Sequence, residues 1–150
     1  MLLSQDITQL IPHRPPFLWV DRIVEWENDM VITEKLLEAN LPLFSGHYPD
    51  HPIFPGALLC EALFQSGAIL MALRQEKEGR GEASPVPVVT RILGAKFKKP
   101  VFPGNLLRMT VSLTEQAGNA YYFHGVSRVR DIIVATADFV CMQTKPPAAE

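Results

Sequence analysis

Residues 45–70 read SGHYPDHPIFPGALLCEALFQSGAIL, and they fall into two halves. Residues 45–56 hold His47 and His51, prolines at 49, 52 and 55, and glycines at 46 and 56. Each proline ring removes an N–H and pushes the preceding residue away from helical geometry, so this half is a stiff loop that admits a cis bond. Pro55 and Gly56 stand where a helix should begin, since proline suits a first turn. Residues 57–73 are apolar almost all round, which predicts a central helix buried on every side. Glu61 is the anomaly in it. A carboxylate on a buried helix is costly unless it is paired or protonated. Gln65 lies one turn on and shares its face.

A lone loop histidine is usually a surface residue, and a lone helix glutamate is usually solvated. Together in this proline frame, His47 feeding directly into the helix of Glu61, they offer a base and an acid to one site. Other chemistries fit less well. His47 and His51 are four apart, but Pro49 and Pro52 exclude the regular helix that would put both imidazoles on one metal ion. Cys60 neighbours Glu61, yet adjacent helical residues do not face one another, so Cys60 is read as packing. There is no G-x-S-x-G and no phosphate-binding glycine loop. No cofactor and no metal are expected.

The chain has 150 residues, 47% apolar and 20% charged, with a net charge of −2. One domain with a real core is the expectation, 1–150, with 144–150 a frayed tail. The charge is too small to indicate nucleic acid. Cys60 and Cys141 lie in apolar stretches and read as free buried thiols, compatible with a reducing cytoplasm. No secretory leader is evident at the N-terminus. Residues 53–73 approach membrane-span length, but Pro55, Gly56, Glu61 and Gln65 interrupt them, so a buried helix in a soluble protein is preferred over a membrane span.

Around the central segment, Ser4-Gln5-Asp6 predict a capped short helix stopped by Pro12. His13-Arg14-Pro15-Pro16 follows as a rigid connector, with His13 a hydrogen-bonded structural residue. Strands are predicted over 17–26 and 30–37, with a turn at Asn28-Asp29 and a loop over 40–44. Residues 74–84 read as an exposed loop. Further strands are predicted over 86–97, where Pro85 and Pro87 suit an edge or a strand start, and over 106–115, 121–130 and 132–142, with Gly118-Asn119 a hairpin signal. Strands, one apolar helix, then four strands make an α+β arrangement with a mostly antiparallel sheet. Arg91, Lys96, Lys98 and Lys99 form a positive run, readable as a solvated strand face or as a docking patch for an acidic carrier.

Gly46-His47-Tyr48-Pro49, Pro52-Ile53-Phe54-Pro55-Gly56 and Glu61-Ala62-Leu63-Phe64-Gln65 together resemble the active-site motif of the β-hydroxyacyl-acyl-carrier-protein dehydratases of type II fatty-acid synthesis. Pro12-His13-Arg14-Pro15-Pro16-Phe17-Leu18, Val20-Asp21-Arg22 and 96–104 resemble its other signatures, and the likeness spans about residues 5–143. Glu61, where the related dehydratase/isomerase branch usually has Asp, points to the dehydratase-only branch. Tyr48, Asp50-His51 and Phe64 depart from the usual residues, Phe64 in a way that narrows or redirects an acyl tunnel.

The resemblance implies a hot-dog fold, an antiparallel sheet wrapped round one long helix. It implies removal of water from a (3R)-3-hydroxyacyl thioester on acyl carrier protein, carried by a phosphopantetheine arm. His47 would act as base and Glu61 as acid, with Gly56 N–H on the thioester oxygen and Gln65, Tyr48 and Phe64 around the substrate. It also implies a homodimer, often a trimer of dimers, with His and Glu of one site from different subunits. A dehydratase of a specialised carrier-bound pathway (polyketide or aryl polyene), an acyl thioesterase on the same fold and a non-catalytic carrier-binding module are the alternatives. Rates across acyl chain lengths test the first and free-thiol release tests the second. Retention of both His47 and Glu61 argues against the third.

Overall fold

The structure, a computed structural model, describes residues 6–79 and 86–144. Its organising element is the apolar segment read above, a helix that begins at Gly56 and ends at Lys77. In chain order the elements are α1 (Ile7–Leu10), β1 (Arg22–Glu27), β2 (Met30–Leu36), α2 (Leu43–Gly46), α3 (Gly56–Lys77), β3 (Val86–Phe97), β4 (Leu106–Ala117), β5 (Ala120–Val129) and β6 (Ile132–Thr144). The six strands form one sheet in the order β1-β2-β4-β5-β6-β3, and every neighbouring pair is antiparallel. With α3 bedded on its inner face, this is the hot-dog arrangement.

Alternation along the strands supplies that face. Leu107, Met109 and Val111 on β4, Tyr121 and Phe123 on β5, and Ala135, Ala137, Phe139 and Cys141 on β6 are all buried. Successive strand residues point to opposite faces, so these sets share the side that receives α3. The helix sits close to the sheet because two glycines let it. A Cβ on Gly125 of β5 would come 3.0 Å from the Leu63 side chain, and one on Gly67 of α3 would come 3.1 Å from the Phe139 ring. A buried polar pair fixes the register, Thr33 Oγ1 and Ser66 Oγ at 2.8 Å, with Ser66 also donating to the Ala62 carbonyl. Across β1, β2 and β4 the buried Glu34 carboxylate is held by Arg22 and Arg108. Burial alone would raise its pKa, but the hydrogen bonds from Arg108 and Arg22 and their charges leave it lowered.

Several sequence expectations need correction. β1 starts at Arg22, not at residue 17, because the backbone of residues 17–19 is bound to a helix side chain and not to a strand. Residues 43–46, the end of the expected loop over 40–44 and the start of the stiff loop over 45–56, form the helical turn α2. Residues 74–77 of the expected exposed loop continue α3, where Arg74 ties the helix to Asp29 and to the Asn28 carbonyl. Residues 80–84 of that loop lie outside the described residues; of the expected tail over 144–150, Thr144 ends β6 and 145–150 lie outside the described residues. Among the described residues the cis peptide bond is Pro15–Pro16, which lies in the connector and not in the histidine loop. The hairpin at Gly118-Asn119 is as expected, with Gly118 at φ 62.

The sheet is uncovered on one side. β3 is an edge strand, and residues 88–100 are all exposed. Ile92 and Phe97 keep 56% and 55% of their surface. Neither face of that strand is buried in the protomer, although it is rich in large apolar residues.

Candidate active site

The site is built from three segments that meet at the first half of α3. The first is the proline loop itself. α2 ends at His47, whose Nδ1–H donates to the Ile53 carbonyl oxygen at 2.9 Å. A carbonyl can only accept, so the neutral ring carries its proton on Nδ1 and its lone pair on Nε2. Tyr48 packs edge-on against this ring, with centroids 4.7 Å apart. Its φ of 54 is unusual for a residue with a side chain, and its ring stays 64% exposed. The His51 N–H closes the turn on the Tyr48 carbonyl.

The loop then delivers Pro55 as the N-cap of α3 and Gly56 as its first residue. The N–H of a first helical residue has no intrahelical acceptor, and a helix N-terminus carries partial positive charge. Gly56 opens onto a cleft of about 320 Å³ lined by Ile53, Leu59, Phe97, Lys98, Lys99 and Val101, among others. A Cβ on Gly56 would come within 3.0 Å of the Phe97 ring, so only glycine leaves this approach open.

The third segment is the N-terminal connector. Gln65 is buried, and its amide is gripped by main chain on both sides. Its Oε1 accepts from Trp19 N–H at 2.7 Å, and its Nε2 donates to the Phe17 carbonyl at 2.8 Å. The same Nε2 donates to Glu61 Oε1 at 3.1 Å. Because the backbone partners leave the amide only one orientation, the group presented to Glu61 is a donor. On its other side Glu61 Oε1 lies 3.7 Å from His13 Nε2. His13 is the residue that sequence reasoning undervalued. It faces the carboxyl and makes no side-chain hydrogen bond through Nδ1, which is buried without a partner among the described residues. Its pKa is lowered, chiefly by burial and further by the Arg14 charge, against the opposing pull of Glu61. The signal was present in the His13-Arg14-Pro15-Pro16 string, but nothing in its spacing shows where an imidazole 48 residues upstream of Glu61 will point.

The other expected site residues divide. Lys98 and Lys99 border the Gly56 cleft. Lys96 and Arg91 lie on β3 outside that lining, Arg91 about seven residues back, on the order of 20 Å along an extended strand. Phe64 turns towards the sheet and packs edge-on against Phe139 at 4.8 Å. Cys60 and Cys141 are free and buried, and burial together with the Glu61 charge pushes the Cys141 thiol up to about 12. Cys141 pairs with Val89 of β3. His47 and Glu61 share no hydrogen bond or ion pair among the described residues, nor do these hold a group of three or more His, Cys, Asp or Glu suited to a metal ion.

The chain is similar to known proteins. The FabA-like domain family matches residues 11–138. A 3-hydroxyacyl-(acyl-carrier-protein) dehydratase FabZ of Anaeromyxobacter sp. (strain K) is 41% identical over 140 residues, covering 91% of this chain and 86% of that protein. The FabZ of Solibacter usitatus is 35% identical over 148 residues, covering 96% and 89%. The chain belongs to the FabA-like family, on its 3-hydroxyacyl-acyl-carrier-protein dehydratase side. Among solved structures, the dehydratase heterocomplex ApeI:P of Xenorhabdus doucetiae aligns with a TM-score of 0.83 at 13% identity, over 97% of this chain and 94% of that one. The PaaI protein of Escherichia coli aligns with a TM-score of 0.63 at 15% identity, over 81% of each. At those identities the likeness is one of fold.

The Gln65 clamp has a measurable cost if removed. Gln65→Leu keeps the volume but leaves the Trp19 N–H and Phe17 carbonyl without partners. Urea unfolding is expected to show a loss of roughly 2–5 kcal/mol, as for two unsatisfied buried groups. A loss below about 0.5 kcal/mol, the level of an ordinary surface change, would show that the clamp is not structural.

Proposed function

We propose that this chain removes water from (3R)-3-hydroxyacyl-acyl-carrier-protein to give the trans-2-enoyl thioester, as a hydro-lyase of fatty-acid biosynthesis. The reading is carried by the match to dehydratase relatives over nearly the whole chain, with a base and an acid standing at the mouth of one helix. The C2 proton is weakly acidic, so the thioester carbonyl has to be polarised. Gly56 N–H does this, as one of the free donors at the start of α3, and such a donor is worth roughly 3 kcal/mol of barrier. His47 takes the C2 proton on Nε2, the nitrogen left free by the bond to Ile53. Glu61 gives a proton to the 3-hydroxyl, which leaves as water. Tyr48 flanks the base, and Phe64, seated on Phe139, limits how deep an acyl chain reaches.

Within one protomer the proposed base and acid are not bonded to each other, and β3 is an apolar edge 12 residues long. Exposed edges of that kind are usually paired or covered. A second copy joined edge to edge along β3 would extend the sheet, cover Ile92 and Phe97, and bring the partner's histidine loop towards Glu61. We therefore read the working unit as a homodimer of single-domain subunits. The two free thiols suit a reducing cytoplasm. α3 has the length and hydropathy of a membrane span, but 67% of that window is buried against its own sheet.

His47→Ala and Glu61→Ala are each expected to lower dehydration by about a hundredfold to ten-thousandfold, the usual worth of a positioned acid or base, with the thermal unfolding transition retained. Activity within about tenfold of the parent, some 1.4 kcal/mol in barrier, counts against the assignment.

Lys98 and Lys99 at the Gly56 cleft make that mouth a docking surface for an acidic carrier protein. The Lys98→Glu/Lys99→Glu variant should raise KM for the carrier-linked substrate by about tenfold in low salt and by much less at high salt, where surface charges are screened. KM for a short pantetheine thioester should stay put. Equal effects on both substrates would remove the docking role.

A further inference from the structure

The two oxygens of the Glu61 carboxyl are treated differently. Oε1 receives the Gln65 Nε2–H at 3.1 Å and lies 3.7 Å from His13 Nε2. Oε2 takes part in no hydrogen bond with the described residues. The His13 ring is constrained as well. Its Nδ1 is buried with no partner among the described residues. A proton there would be an unsatisfied buried donor, whereas a lone pair without a donor costs less, so the neutral ring keeps its proton on Nε2, the atom that faces Glu61. The turn presenting the ring is rigid. The Arg14 guanidinium donates to the carbonyl oxygens of Ile11, His13 and Thr8 at 2.8, 2.7 and 2.8 Å, and Pro12 and Pro15 flank the pair.

We propose that His13 is a positioning residue for the dehydration: Gln65 holds Glu61 Oε1 as an acceptor and the His13 Nε2–H, 3.7 Å away, faces the same oxygen, so that Oε2 is the oxygen that carries and delivers the proton. The inference rests on the reading of Glu61 as the acid. In the step, the C2–H electron pair becomes the C2–C3 π bond as His47 Nε2 takes the proton. The C3–O bond breaks with its electron pair going to oxygen, and Glu61 Oε2–H protonates that oxygen, releasing water. Glu61 is left as a carboxylate, and the His13 and Gln65 N–H groups already face the oxygen that shares its charge. Both residues return to their starting states by proton exchange with solvent. Nothing is oxidised or reduced.

The test is steady-state kinetics of the full-length protein on a (3R)-3-hydroxyacyl thioester, followed by absorbance of the enoyl product, with His13→Leu, His13→Gln and Glu61→Gln. His13→Leu should lower kcat by about tenfold, as for the loss of an N–H that faces a charge developing in the step, with KM within about threefold. His13→Gln, whose side-chain amide can place an N–H where Nε2 stands, should recover kcat to within about fivefold of the parent. Two results overturn the inference: a kcat for His13→Leu within about twofold of the parent, or equal losses in the Leu and Gln variants, which would mark His13 as mere filling. Glu61→Gln separates the levels. If it is inactive while His13→Leu is unimpaired, only the role of His13 falls; if it retains parental activity, the acid assignment falls and this inference with it.

Discussion

The constraint on which the rest depends is a carboxyl placed on a helix that the sheet otherwise keeps apolar. α3 buries Leu63, Ile69 and Leu70 completely against the sheet, and the same helix carries Glu61 two residues before Leu63. Such a group has to be answered by fixed partners, and the chain supplies them from far upstream. Gln65 is locked between Trp19 N–H and the Phe17 carbonyl, so its remaining donor has one direction to go. The irregular path of residues 12–19 follows from this. Those residues forgo strand pairing because their main chain is the socket for the helix amide, and the Arg14 bridges and the Trp19–Phe54 ring contact at 5.4 Å hold the socket in shape.

On the opposite side of the site the protomer is open. The proline loop fixes the His47 tautomer through Ile53, and Gly56 keeps the start of α3 accessible beside Phe97. Among the described residues, β3, which carries Phe97, has no neighbour on its outer edge, and its residues 88–97 are all exposed. The same strand that borders the cleft is thus the natural seam for a second copy. In the proposed homodimer this edge would be paired, and assembly and chemistry would be one requirement.

Much of this was legible in the sequence for physical reasons. The period-2 alternation of 106–115 and the proline and glycine punctuation marked strands and turns, and the all-round apolar character of 57–73 marked a buried helix. Pro85 and Pro87 suited β3 to an edge or a strand start. His47, Glu61 and Gly56 stood out because their types clash with a stiff apolar setting. What was not legible depends on long-range partners. Residues 17–21 have β-branched and aromatic composition but end as a socket for Gln65, a contact 46 residues away. Residues 74–77 look like a charged loop, yet Arg74 is held by Asp29 across the sheet and prolongs the helix. His13 read as structural because only the folded chain shows its Nε2 beside Glu61. The family resemblance, and not periodicity, chose the wrapped-helix architecture among α+β folds.

The central claim is that an imidazole from one subunit and a carboxyl from its partner serve the same thioester. It is tested most directly by mixing: His47→Ala and Glu61→Ala subunits, each inactive alone, are unfolded together and refolded to exchange partners. Random pairing makes half the dimers hybrids, and each hybrid has one intact site, so dehydration should return to about a quarter of the parental rate. If hybrids form, as shown by mass-tagged subunits, and the rate stays at the level of the separate variants, the two groups do not meet across the β3 seam and the account is wrong.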